Sequence, residues 1–172
     1  MGPVSAEIEV DAPRERVFEA IADLARRPSF TDHFLTGFHL TRIESTGIGG
    51  GARFRVSLPL RSFWMDTTIV ELETPHRLVE RGSGGRANRI PVTTVWELTE
   101  GAGSLIGVRV SQWTEPSNPI DRAVELAAAN SVWAERGWRE ALLRLRDLLE
   151  EERPAPAPLA VAGGNAHATG IP

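Results

Sequence analysis

The pattern of hydrophobic and polar residues divides the chain into three parts. The first part predicts a short strand at residues 6–10 and a helix that starts near Pro13, followed by a second short helical turn that Pro28 interrupts. From Thr36 onward, apolar and polar residues alternate, which is typical of strands with one buried face. The third part, residues 118–152, returns to the helical period and predicts a long C-terminal helix.

The alternating part predicts six strands, which are joined by short turns rich in glycine, proline and polar residues. Because consecutive strands with short turns pair antiparallel, the pattern favours a meander over an array of βαβ units. Together with the strand at residues 6–10, the sheet would have seven strands. The six predicted strands are Gly37–Glu44, Ala52–Leu58, Phe63–Glu73, Arg77–Arg81, Ile90–Thr99 and Leu105–Trp113.

The alternation also predicts which side chains point inward. Most strands are unambiguous, because one parity is consistently apolar. The strand over residues 63–73 is ambiguous, and Val70 and Leu72 favour the even parity as its inward side. The inward residues then include Phe54, Val56, Trp64, Asp66, Thr68, Thr94, Trp96 and Val110.

The helix predicted over residues 118–152 has two different halves. Asn118 is a good N-cap. The C-terminal half carries an apolar stripe that includes Trp138, which is typical of a core helix. The N-terminal half is rich in small residues up to Asn130, so either another element packs closely there or space stays open. Gly137 predicts a bend or a close backbone approach.

Composition and charge limit the classes of function. A chain of 172 residues fits one domain, and a net charge of −4 argues against nucleic acid as the main partner. No apolar run is long enough for stable membrane insertion, and the N-terminus lacks a signal-peptide core. The chain has no cysteine, so disulfides and thiolate chemistry are excluded. We expect a cytoplasmic protein, a monomer or a homodimer.

Two further stretches have simple interpretations. The glycine-rich segment Gly47–Ala52 matches a dinucleotide fingerprint, but a strand and not a helix follows it, which favours a hairpin turn. The four histidines show no metal-ligand spacing, so we expect no metal and no cofactor. Residues 153–172 are rich in proline and alanine, which predicts a disordered tail after a folded domain over residues 1–152.

Three separated segments carry a resemblance to a known family. They are VDAPRERVFEAIADLARRPSF, VELETPHRLVER and WREALLRLRDLLE, which start at Val10, Val70 and Trp138. In order and spacing they resemble the START-like superfamily, in the branch of polyketide cyclases, dehydrases and lipid-transport proteins. The resemblance implies an α+β helix-grip fold. In this fold, a curved seven-stranded antiparallel sheet wraps around a long C-terminal helix, and two short helices follow the first strand.

The resemblance also implies a cavity between the sheet and the C-terminal helix. We expect it to bind a lipophilic, cyclic or aromatic small molecule, with the segment around Phe30 and Phe34 at its mouth. Asn130 and Trp133 would face it from the helix. The candidate ligand-binding residues are Phe30, Phe34, Phe54, Val56, Trp64, Asp66, Thr68, Thr94, Trp96, Val110, Asn130 and Trp133.

Two alternative functions stay open on sequence alone. The first is an enzyme resembling polyketide aromatase/cyclases, which promotes aldol closure and dehydration. Asp66 and His33 would be its candidate acid–base residues. The second is a partner-binding module resembling Hsp90 activators, which would use the outer face of the sheet.

Overall fold

The computed structural model describes residues 2–58, 61–85, 88–116, 119 and 130–151. The side chains of Leu58, Arg61 and Asn130 are outside this description. Within these ranges, seven strands and three helices are arranged along the chain. They are β1 Val4–Val10, α1 Arg14–Ala22, α2 Pro28–Thr31, β2 Leu35–Leu40, β3 Gly51–Leu58, β4 Arg61–Glu73, β5 Arg77–Gly84, β6 Ile90–Glu100, β7 Ile106–Thr114 and α3 Asn130–Glu151.

All seven strands form one antiparallel sheet in the order β1-β7-β6-β5-β4-β3-β2. The strands from β2 to β7 follow one another as a meander, and β1 closes the series beside β7. The sheet is curled, and its concave face packs against the helices. The predicted α+β helix-grip fold, with its seven-stranded antiparallel sheet, is therefore confirmed.

The helices complete the core from the concave side. Val17, Phe18 and Ile21 of α1 are buried, as the apolar periodicity of that segment predicts. The apolar stripe of α3 is buried too, from Trp138 through Leu149. This confirms that the C-terminal half of α3 is a core helix. The predicted start of this helix at Asn118 and the tail after residue 152 lie outside the described residues.

Strand β5 is longer than predicted. It continues through Gly84, where the sequence favoured a glycine-rich turn. The glycines are needed here because β4 approaches closely: a Cβ atom on Gly82 would lie 1.7 Å from the carbonyl oxygen of Asp66. Glycine at this position thus allows the two strands to pair where any side chain would separate them.

Over most of strand β4, the odd-numbered side chains point inward, whereas the sequence favours the even-numbered ones. Met65, Thr67 and Ile69 are buried on the concave face. A β-bulge follows Ile69 and leaves Val70 as an extra residue between two consecutive partners on β5, so the alternation shifts by one residue. Leu72, beyond the bulge, therefore also packs against the core. The inward prediction is wrong for Trp64, Asp66 and Thr68, which lie on the convex face.

The glycine in the middle of α3 marks a close approach, one of the two outcomes that the sequence predicts. A Cβ atom on Gly137 would lie 2.7 Å from Cδ2 of Phe34. The ring of Phe34 then packs edge-on against Trp138, with 5.2 Å between the ring centroids. Gly137 therefore lets the segment before β2 pack directly on the helix backbone. None of the helices in the described part of the chain is long and apolar enough to cross a membrane.

Candidate ligand-binding site

A row of three polar residues crosses the concave face of the sheet. Glu80 on β5 is the cross-strand partner of Thr94 on β6, and Thr94 is in turn the partner of Gln112 on β7. All three side chains are buried. Buried polar groups are costly unless they form hydrogen bonds, so such a row on an otherwise apolar face marks a site with specific requirements.

The Glu80 end of the row is a buried ion pair surrounded by donors. Arg27, which lies just before α2, donates from Nη2 to Glu80 Oε1 across 2.8 Å and to the carbonyl oxygen of Ile21 across 2.8 Å. Trp96 Nε1 donates to the same Glu80 oxygen across 3.0 Å, and Thr67 Oγ1 donates to Oε2 across 2.9 Å. The Arg27 guanidinium also lies 4.9 Å from the centroid of the Trp96 ring. Both oxygens of the Glu80 carboxylate thus accept hydrogen bonds from protein groups.

The other end of the row is a neutral hydrogen-bonded chain. Trp138 Nε1 on α3 donates to Gln112 Oε1 across 3.2 Å. Gln112 Nε2 then donates to Thr94 Oγ1 across 3.0 Å. This chain connects the helix to two strands of the sheet and fixes the orientation of the Gln112 amide.

Aromatic rings surround the polar row. The Trp96 and Trp138 rings meet edge-on, with centroids 5.3 Å apart, and so connect its two ends. Phe30 packs edge-on against Trp96 at 6.5 Å. Farther across the sheet, Phe38 on β2 and Phe54 on β3 are stacked, with centroids 5.2 Å apart. The concave face therefore combines large flat apolar surfaces with a few directed polar groups, the usual composition of a small-molecule site.

Seven of the sequence-predicted ligand-binding residues lie on the core side of the molecule. Phe30, Phe54, Thr94, Trp96 and Val110 are buried, and Phe34 and Val56 are partly buried against the core. The structure brings Phe30, Thr94 and Trp96 to the polar row itself. Their role in binding a ligand remains a prediction.

The convex face holds the three residues whose direction was predicted wrongly. Trp64 is 41% exposed, and the Arg53 guanidinium lies 5.3 Å from its ring centroid. Asp66 pairs with Arg53, at 3.5 Å between Oδ1 and Nε, and accepts a hydrogen bond from Asn88. Thr68 is two residues beyond Asp66 on β4, so it lies on the same face of the sheet. None of these side chains contributes to the concave site.

Two other predicted residues, His33 and Trp133, lie away from the polar row. The His33 ring is close to the backbone of α3, with Nε2 3.1 Å from the Gly137 carbonyl oxygen, so Nε2 carries a proton that it donates there. Trp133 is 40% exposed, and Arg136 stacks on its ring. Asn130 is the first described residue of α3, and its side chain lies outside the description.

Sequence reasoning missed Glu80 and Arg27. A signal for Glu80 was present, because it has the same strand parity as the buried Leu78. Arg27 gave no local signal, since its partner is 53 residues away in the sequence. In the described part of the chain, no cluster of three or more histidine, aspartate or glutamate residues could hold a metal ion.

Comparison with known protein families assigns the chain to a family. Residues 1–150 match the family model described as polyketide cyclase / dehydrase and lipid transport. The chain therefore belongs to this family, within the START-like superfamily that the three sequence segments resemble. A search of curated proteins found no match.

Solved structures support the same fold. DynU16, a putative protein in the dynemicin biosynthetic locus, aligns with a TM-score of 0.58 and 23% identity, over 87% of this chain and 48% of DynU16, so this chain spans about half of it. TTHA0849 from Thermus thermophilus aligns with a TM-score of 0.69 and 16% identity, over 87% of this chain and 97% of that protein. A START superfamily protein from Mycobacterium smegmatis aligns with a TM-score of 0.59 and 13% identity, over 87% of this chain and 97% of that protein. At these identities the similarity concerns the fold.

Proposed function

We propose that this protein binds a lipophilic, cyclic or aromatic small molecule between the concave face of the sheet and α3. In this proposal it acts in the cytoplasm, as a monomer or a homodimer, and holds its ligand without a metal or another cofactor. Family membership is consistent with this function, since the family includes lipid-transport and polyketide-processing proteins.

The observation that carries the proposal is the buried polar row within an aromatic wall. A protein core built only for stability avoids buried polar groups, because apolar residues of similar volume are usually at least as stabilising. Glu80, Thr94 and Gln112 nevertheless lie side by side on the concave face, next to the Trp96 and Trp138 rings. Flat apolar walls would hold a ring system, and the polar groups would fix its orientation.

The enzymatic alternative is less well supported by the geometry. An aldol closure needs a positioned acid–base pair that can reach the substrate. Asp66 lies on the convex face, and Nε2 of His33 is engaged by the backbone of α3. Glu80 lies on the concave face, but three side chains donate hydrogen bonds to its carboxylate. The positions of these three candidate acid–base residues therefore favour a ligand-binding protein over an enzyme.

Tryptophan fluorescence tests the proposal, because the chain contains five tryptophans and no tyrosine. Flat polycyclic compounds should shift or quench this emission saturably. At roughly 0.3 kcal/mol per heavy atom, a ligand of about twenty atoms would bind with a Kd in the range of tens of micromolar. The control is Trp64→Phe, which removes a convex-face indole and should leave the saturable change in place. If a broad panel leaves the emission of the unaltered protein unchanged, the proposed function is wrong.

A further inference from the structure

The direction of each hydrogen bond in the chain Trp138–Gln112–Thr94 can be assigned from chemistry alone. An indole nitrogen is a donor only, so Trp138 Nε1 must donate to the oxygen of the Gln112 amide. The amide nitrogen of Gln112 is then the atom that faces Thr94. Because an amide nitrogen also only donates, the Thr94 oxygen must be the acceptor in that bond.

This assignment leaves two polar hydrogens to be placed. The Thr94 hydroxyl hydrogen is not used in its bond to Gln112, and the Gln112 amide has a second N–H. Among the described residues, neither hydrogen has an assigned acceptor. Both side chains are at least nine-tenths buried, with exposures of 5% and 8%. Buried donors normally have partners, so this pair requires an acceptor.

Among the described residues, neither Thr94 nor Gln112 forms a hydrogen bond with the adjacent carboxylate. Glu80 is the cross-strand neighbour of Thr94. Its hydrogen bonds, however, come from Arg27, Thr67 and Trp96. The two donors therefore form a separate part of the polar row, between the engaged carboxylate and α3.

We infer that Thr94 and Gln112 form a donor pair that receives a carbonyl oxygen of the ligand. This inference rests on the proposed function and narrows its ligand class to cyclic ketones and quinones, in preference to the corresponding hydrocarbons. A carbonyl oxygen has two lone pairs and can accept from both donors at once. A site built to hydrogen-bond such an oxygen discriminates against an analogue without it, because the buried donors are then left unpaired.

A matched ligand pair tests this inference: 9-fluorenone carries a ring carbonyl, and fluorene has the same ring skeleton without it. Kd values for both compounds are measured by tryptophan fluorescence in the same buffer, with a fixed small fraction of dimethyl sulfoxide. For the unaltered protein, we expect fluorenone to bind about tenfold more tightly than fluorene. Equal affinities for the two compounds would overturn the inference and leave the proposed function standing. Failure of both compounds and of the wider panel to bind would overturn the proposed function itself.

Substitutions at Thr94 then assign the preference to this residue. Thr94→Val has nearly the same shape but no hydroxyl, so we expect the ratio of the two Kd values to fall to between about one and three. Thr94→Ser retains the hydroxyl and should keep most of the preference. Thr68→Val makes the same chemical change on the convex face and should leave the ratio unchanged.

A Thr94→Val protein that melts cooperatively and retains the full preference for fluorenone would contradict the assignment. If Thr94→Val fails to fold, loss of the preference in Thr94→Ser would contradict it equally.

Discussion

Arg27 and Glu80 form a buried ion pair that joins the segment before α2 to strand β5, with 2.8 Å between Nη2 and Oε1. Both side chains are 3% exposed. The pair holds the Glu80 carboxylate in place on the concave face, where Trp96 and Thr67 also donate to it. A buried pair of this kind is sensitive to the loss of one partner, since the remaining charge is left in a poorly solvating environment.

Replacing Arg27 with Met should therefore lower the free energy of unfolding by about 3–5 kcal/mol, as measured by urea denaturation. The matched control is Arg144→Met, which removes the exposed pair with Asp32 at 2.7 Å. That change should cost about 1 kcal/mol or less. Equal small effects of the two substitutions would show that the Arg27–Glu80 pair does not hold the concave site together.

Gly137→Ala should destabilise the protein, although alanine is the better helix former by about 1 kcal/mol. The added methyl group would lie within 3.0 Å of three atoms of the Phe34 ring, which is itself packed against Trp138. Overpacking of this kind costs about 1–3 kcal/mol, so we expect a net loss of about 1 kcal/mol. Ser131→Ala, at an exposed position of the same helix, serves as the control and should raise stability slightly.

If the clash with Phe34 is the cause, the effect of Gly137→Ala should depend on that ring. In the double variant Phe34→Leu/Gly137→Ala, the cost of adding the methyl group should be smaller than in the unaltered background. Additive losses from the two substitutions would contradict this explanation.

Asp66→Asn should leave ligand affinity unchanged within about twofold, as expected for a surface substitution far from the binding face. The carboxylate lies on the convex face beside Arg53 and Asn88. Titration of the variant with 9-fluorenone checks this prediction. A loss of tenfold or more would place Asp66 in the binding site after all and would favour the enzymatic alternative.

Removal of residues 153–172 should leave the Tm unchanged within about 1 °C, because the proline- and alanine-rich composition of this segment offers no apolar face to bury. Limited proteolysis should cleave in this segment first and leave a stable fragment. A fall in Tm of several degrees would show instead that the tail packs on the folded domain.

The fold was predictable from sequence because several independent signals agree. Alternation, short turns and the helical period at the two ends each indicate the same element order. The prediction of the inward side chains of β4 failed, because a β-bulge shifts which side chains point inward and leaves no mark in the apolar–polar pattern of the sequence. Val70 is the extra residue of a β-bulge, so the apolar character of Leu72 gives the right direction for the end of β4 and the wrong one for Trp64.

The candidate site was only partly predictable for a different reason. Thr94 and Trp96 follow directly from the parity of β6, and both are buried as expected. The role of Glu80 depends on Arg27, Thr67 and Trp96, which come from three separate segments of the chain. Such long-range hydrogen bonds are set by tertiary packing and leave no periodic signal in the sequence.

We propose that a ring-shaped ligand binds against the concave face of the sheet. The indole N–H resonances of the protein test this binding most directly. In a ¹H–¹⁵N spectrum these signals can be assigned by single Trp→Phe substitutions. On titration with 9-fluorenone, we predict saturable shifts of the Trp96 and Trp138 signals, because both indoles donate into the polar row, and no shift of the convex-face Trp64 signal. Shifts confined to Trp64, or no shift of any indole signal, would contradict the account.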